Sequence, residues 1–333
     1  ASARHMPTIA VAGPPVTDAT EAMTWRTFKE GNFAIMKPAV FPQNSPLSSA
    51  ARLAASLART IPVSVMIFTL NEEVNLPFCL RSLERIDDVI VVDSYSDDRT
   101  LQIAGEHGAR VFQHEFTGFG DQRNWAMAHC DPKYEWVLIL DADERVTPEL
   151  AEEVAESLAN AGPELAAFRL RRKLHMWGKW LKHSSLYPNW VVRLVRSGRV
   201  RYINRGHAET QEVEGSIGEL QHALIDENHK GMEEWLRRQA TYAAREAEFE
   251  ASHQAGISLG ELVSRDPMLR RKALKRLSWR LPARGLVYFA YAFVIRRGFL
   301  DGREGYEFCR MKALYQNMIV AHKFELRKLA ARK

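Results

Sequence analysis

Asp141 and Asp143 are separated by one alanine and follow Trp136-Val137-Leu138-Ile139-Leu140, a run apolar enough to be a buried strand. Two carboxylates leaving a strand end on a turning backbone stand where an α/β sheet presents its ligands. They suit a divalent cation, Mg²⁺ or Mn²⁺, which is commonly held by one or two carboxylates plus phosphate oxygens and which neutralises a departing pyrophosphate. The same Asp-x-Asp spacing also arises in solvated loops and at helix starts. Further groups able to do chemistry lie in Thr69-Leu70-Asn71-Glu72, Asp93-Ser94-Tyr95-Ser96-Asp97-Asp98 and Gln122-Arg123-Asn124, and downstream at Glu209, Asp226, Glu227 and His229. A carboxylate accepts from base N–H groups and ribose hydroxyls or takes a proton from an attacking hydroxyl, arginine favours phosphate, and neutral imidazole binds Mn²⁺.

The elements that must position these groups are legible as a repeated unit. The patterns predict a strand at residues 63–68, a helix at 76–83, a strand at 88–92, a polar turn, a helix at 100–107 and a short strand at 109–112. A Gly118-Phe119-Gly120 loop, a helix at 122–128, the strand before Asp141 and a helix at 148–158 follow. Strand and helix in alternation predict a Rossmann-like, mostly parallel sheet with its ligand at the carboxyl ends of the strands. Strand-like spacing at 166–170, 190–195 and 200–203 predicts a β insertion, and from Gly231 the period is helical, with a partial apolar stripe from Trp235 to Phe249. Trp177, Trp180 and Trp190 are either sugar-stacking platforms or buried strand aromatics.

Composition bounds the class. The 333 residues are 46% hydrophobic and 26% charged, with a formal charge of +5, which describes a folded chain suited to an anionic partner. Cys79, Cys130 and Cys309 have no paired spacing, so neither a disulfide framework nor a zinc site is expected, and free thiols fit the cytoplasm. The beginning of the chain lacks the apolar core of a signal peptide, and the longest apolar run, residues 285–295, is about half the roughly 20 residues that span a bilayer. Residues 1–60, rich in Pro, Ala, Ser and Thr with one helical patch at 49–57, are expected to form a partly flexible extension. Residues 61–230 are expected to be the catalytic domain and 231–333 a helical, basic module.

Taken in order, Asn71-Glu72, Val92-Asp93-Ser94-Tyr95-Ser96-Asp97-Asp98-Arg99-Thr100, Arg123-Asn124 and Asp141-Ala142-Asp143 resemble the family 2 glycosyltransferases of the GT-A fold over most of residues 61–160. The downstream Tyr187-Pro188-Asn189-Trp190-Val191-Val192-Arg193-Leu194, Gly206-His207-Ala208-Glu209 and Arg297-Gly298-Phe299-Leu300-Asp301-Gly302-Arg303-Glu304-Gly305 are similar to bacterial lipopolysaccharide-core and exopolysaccharide enzymes, although Ala208 separates His207 from Glu209. The resemblance implies a hexosyltransferase-type, inverting, metal-dependent transfer from a nucleoside diphosphate sugar, a UDP-sugar favoured, to a hydroxyl of a glycolipid or lipid-linked saccharide in cell-surface polysaccharide synthesis. It also implies that Thr69, Asn71, Glu72 and Asp93 hold base and ribose, that Arg123 and Asp141 lie near the diphosphate, and that His229, with His207 competing for the role, joins Asp141 and Asp143 on the metal. Turn-forming chemistry is the competing account of Asp93 and Asp98. Glu209 is the first candidate for the base, with Asp226 and Glu227 next.

From Arg265 to Arg284 eight Lys and Arg face one acid, and leucines and Trp279 interleave with them, as in a segment lying on an anionic bilayer. The expected location is therefore peripheral, at the cytoplasmic face of the inner membrane; a solvated helix covering the catalytic domain is the competing account. No nucleic-acid recognition module accompanies the charge. A non-catalytic nucleotide-sugar-binding module also fits paired aspartates. A nucleotidyltransferase does so less well, because a glycine-rich basic loop is missing after the first strand.

Overall fold

The computed structural model describes residues 60–205, 208–252, 259–264, 266–279, 281 and 283–331. The expected N-terminal extension, apart from Thr60, lies outside the described residues, as do Arg265, Arg280, His207 and the side chains of Arg271, Lys272 and Lys275.

Strands β1 (Ser64–Thr69), β2 (Asp88–Asp93), β3 (Arg110–Gln113) and β4 (Trp136–Asp141) are linked by helices α1 (Leu76–Arg81), α2 (Thr100–Glu106) and α3 (Phe119–His129). They pair in parallel in the order β3-β2-β1-β4. Both faces of this half are covered, which is why its strands read as unbroken aliphatic runs. Val65, Ile67, Leu138 and Leu140 pack on α1, α2 and helix α4 (Pro148–Ala159). Met66, Ile90, Val137 and Ile139 pack on Ala126 and Cys130 at α3. All three cysteines are free and buried.

Beyond β4 the sheet becomes mixed. It continues through β8 (Asn189–Arg196), β6 (Leu165–Met176), β11 (Ser216–Glu227) and β5 (Glu144–Arg145), with β7 (Lys179–Trp180) folded back on β6. β8 is antiparallel to β4 and β6, whereas β11 is parallel to β6. The sequence pattern passes over β11 because its pairing shifts register between Glu219 and Ala223, and such an irregularity breaks the two-residue alternation.

A two-stranded hairpin, β9 (Val200–Arg205) and β10 (Ala208–Val213), forms a separate sheet against α3. The Asn124 side chain accepts from the Tyr202 N–H at 2.9 Å and donates to the Tyr202 carbonyl at 2.7 Å. Gly118 and Gly120 permit this approach: a Cβ at Gly118 would stand 2.6 Å from the Asn204 side chain, and one at Gly120 would stand 3.1 Å from the Asn204 backbone nitrogen.

The C-terminal part comprises α5 (Gly231–Ser252), α6 (Leu259–Leu262), α7 (Pro267–Ser278), α8 (Arg284–Ala290) and α9 (Gly302–Ala330). Helix α5 meets α9 through Ala243, Ala247, Tyr315 and Ile319. The stripe expected from Trp235 to Phe249 is thus carried by small residues, and the buried face also holds Glu250, bonded by Arg284 at 2.7 Å and Lys323 at 2.8 Å. Asp301 of the Gly-Phe-Leu-Asp-Gly tail accepts from the N–H groups of His183 at 2.9 Å and Ser184 at 2.7 Å, which fastens the helical part to the loop after β7.

Candidate functional site

The in-register pairing of Thr69 with Asp93 and of Phe68 with Asp141 brings β1, β2 and β4 to one edge of the sheet. A cavity of about 470 Å³ opens there. Phe68, Thr69, Asp141 and Asp143 come from the strand ends, Ser94, Gln122 and Arg123 from β2 and α3, and Arg172 and Asp226 from β6 and β11. Helix α5 closes the remaining side with Glu234, Arg238, Thr241 and Arg245. A smaller hollow of about 370 Å³, between Met127 and Ser197, lies at the amino-terminal end of β4 and away from these groups.

Asp141 is held by two guanidinium groups. Arg123 Nη2 is 3.0 Å away, and Arg193 bonds the other carboxylate oxygen while reaching fully buried Glu144 at 2.7 Å. Burial alone would raise the Asp141 pKa, but Arg193, Arg123 and Arg172 outweigh it and keep the carboxyl well below the usual range. Asp141 is thus already neutralised. Asp143 is different: one oxygen accepts from Asn228 at 3.0 Å, and no cation among the described residues pairs with it.

The expected set of Asp141, Asp143 and His229 does not assemble. Among the described residues no three His, Cys, Asp or Glu side chains converge on a metal-sized point. His229 instead stacks on Phe78 with ring centroids 4.3 Å apart, stands 3.8 Å from Glu227 and does not line the cavity. The residues present do suit a hard cation held by Asp143 and completed by phosphate oxygens and water, since Mg²⁺ sites rely on few protein carboxylates.

The three base candidates separate clearly. Asp226 lines the cavity 3.5 Å from Arg172, and burial pushes its pKa up to about 7, with Arg172 opposing and Asp143, Glu144 and Asp141 adding to the rise. Glu209, on β10, is ion-paired to Arg123 and does not line the cavity; burial raises its pKa against the pull of Arg123 and Arg193. Glu227 pairs with Arg145 and likewise does not line the cavity.

The expected nucleotide residues divide in the same way. Thr69, Glu72, Arg123 and Asp141 line the cavity. Asn71 and Asp93 do not: Asn71 accepts from the Asp97 N–H at 2.9 Å, and buried Asp93 accepts from Thr69 at 2.8 Å and from the Ser96 N–H at 2.8 Å. Asp98 likewise accepts from the N–H groups of Glu73 at 3.0 Å and Thr100 at 2.9 Å. Turn-forming chemistry therefore describes these aspartates. Trp177, Trp180 and Trp190 lie off the cavity, and Trp190 carries Arg169 and Arg171 over its ring.

Sequence reasoning missed Arg172, Arg193 and the arginine face of α5. Arg193 carried a signal: a lone cation inside an apolar strand must meet a buried acid. The α5 arginines carried none, because only the docking of the helix aims them.

Residues 64–219 match the family model described as Glycosyl transferase family 2. The chain is 28% identical over 195 residues to a lipopolysaccharide core biosynthesis glycosyltransferase, LpsC, of Rhizobium meliloti, covering 56% of this chain and 71% of that one. It is 28% identical over 257 residues to a glycosyltransferase of Rickettsia conorii, covering 74% and 84%. Among solved structures, Staphylococcus aureus TarS residues 1–349 is similar at 17% identity with a TM-score of 0.37, covering 75% of this chain and 90% of that one. On the family match and these relatives, the chain is a glycosyltransferase.

Proposed function

We propose that this glycosyltransferase moves a sugar from a nucleoside diphosphate donor, with uridine favoured, to a hydroxyl of a glycolipid or lipid-linked saccharide, with inversion at the anomeric carbon. The observation that carries the reading is one cavity that holds a carboxylate paired with no cation among the described residues, Asp143, an arginine, Arg123, and a carboxyl of raised pKa, Asp226. Thr69, Ser94 and Glu72 receive the nucleoside side of the donor at the β1 and β2 ends. Arg123, fixed by Asp141 and Glu209, faces the diphosphate. A bound Mg²⁺ or Mn²⁺, held by Asp143, would neutralise charge on the leaving diphosphate. Asp141 fixes Arg123 and Arg193. Asp226 accepts the proton of the acceptor hydroxyl as it attacks, a task for which a pKa near the working pH is suited. Inversion rests on the family resemblance, and the glycolipid acceptor on the likeness to the lipopolysaccharide-core relative.

The same reading divides the chain into a catalytic part, residues 61–230, and a helical part, 231–333, that meets the cytoplasmic face of the membrane. No helix among the described residues is long and apolar enough to cross a bilayer. Leu286, Val294, Ile295, Phe299 and Leu300 are each about half exposed or more (70%, 57%, 70%, 49% and 55%), and Arg296 and Arg297 adjoin them, a combination that favours an anionic interface. The most exposed of these apolar side chains thus follow the basic stretch, while Leu269 and Leu277 are exposed within it.

Thermal-shift and turnover measurements with UDP-, GDP-, ADP- and dTDP-sugars, with and without Mn²⁺, test the function. Stabilisation by one donor with metal-enhanced turnover is expected. Donor binding without transfer or hydrolysis would favour a non-catalytic binding module instead.

A further inference from the structure

Six cationic side chains line the cavity: Arg123, Arg172, Lys230, Arg237, Arg238 and Arg245. Four are answered by acids, Arg123 by Asp141 and Glu209, Arg172 by Glu144 and Asp226, Lys230 by Glu72, and Arg237 by Glu233 and Glu234. Arg238 and Arg245 form no ion pair with a described residue. Two guanidinium groups that line the cavity with no answering acid among the described residues give that stretch uncompensated positive charge, which favours an anion there.

The placement says which ligand that is. Arg238 and Arg245 are seven positions apart on α5, hence on one face and about 10 Å apart along the axis. Lys230, just before the helix, is fastened to Glu72 of the β1 loop at 2.7 Å, and Arg245 lies about 22 Å farther along at 1.5 Å per residue. The cavity follows α5 away from the end assigned above to the nucleoside. The donor diphosphate already has Arg123 and Asp143 beside it.

We propose that Arg238 and Arg245 receive an anionic group, phosphate or carboxylate, carried by the acceptor, so that the enzyme selects acceptors bearing negative charge near the attacking hydroxyl. This rests on the glycosyl-transfer reading of the same cavity. Guanidinium forks suit such a group because they donate paired N–H bonds to two of its oxygens.

Calorimetry with glucose 6-phosphate and glucose as probes, each titrated with and without saturating UDP and Mn²⁺, tests it. Wild type is expected to bind glucose 6-phosphate about tenfold or more tighter than glucose, with UDP leaving that affinity in place. The R238Q/R245Q pair should lose about tenfold or more in glucose 6-phosphate affinity while UDP affinity stays within about twofold. R245Q alone, at an exposed position, should show part of the same loss with an unchanged thermal melt and guards against a folding effect of R238Q. Displacement of glucose 6-phosphate by UDP, a loss of UDP affinity in the variants instead, or equal binding of glucose and glucose 6-phosphate overturns the proposal. Failure of UDP to bind wild type would sink the donor reading by itself, and the titrations without UDP would still decide the anion site.

Discussion

Arg123 and Glu209, 86 positions apart, are ion-paired where helix α3 meets the β9–β10 hairpin. The pair leaves Glu209 committed to a cation and gives Arg123 a fixed direction beside Asp141. On the function proposed above, Glu209 positions Arg123 and Asp226 takes the acceptor proton. Glu209→Gln should raise the donor KM while lowering kcat by less than about tenfold, since a lost base commonly costs about 10² to 10⁴. A hundredfold fall in kcat with unaltered donor KM would return the base to Glu209.

Asp226→Asn should lower transfer by about 10² or more with donor binding kept. A base works ionised, and a pKa of about 7 means that the ionised fraction declines as pH falls below that value. Wild-type kcat/KM should accordingly drop about tenfold per pH unit on the acid side, and the limb should vanish in the variant. An acid limb retained in Asp226→Asn assigns it to another group.

Asp143→Ala should abolish Mn²⁺-enhanced UDP binding and leave the fold intact, because the side chain bonds only Asn228 among the described residues. Calorimetry with and without Mn²⁺ reads this directly, and an unchanged metal effect would remove Asp143 from the site.

Arg193→Met should destabilise the fold by about 3 kcal/mol in urea unfolding, because it leaves fully buried Glu144 and largely buried Asp141 short of a shared cation. A loss under about 1 kcal/mol would mean that Arg172 and Arg123 suffice.

Leu286→Glu with Ile295→Glu should abolish flotation with anionic liposomes while sparing donor hydrolysis, as both side chains are 70% exposed. Equal flotation of the variant, or none by wild type, defeats the interfacial reading.

The sequence by itself determined the parallel half of the sheet. Its strands are covered on both faces, so residues 65–68, 89–92 and 136–140 are continuously apolar, and the strand ends and the loops after them carry Thr69, Glu72, Asp141 and Asp143. Local chemistry also marked the Asp93 and Asp98 turns. Tertiary structure alone decided the rest: that Asp141 meets Arg193, 52 residues away, that Glu209 meets Arg123, and that α5 lays Arg238 and Arg245 along the cavity. Strand identity follows from short-range period, whereas these encounters depend on how β8, the hairpin and α5 dock. A side chain's charge gives its chemistry, but its neighbours set whether that charge is neutralised, shifted or left for a ligand.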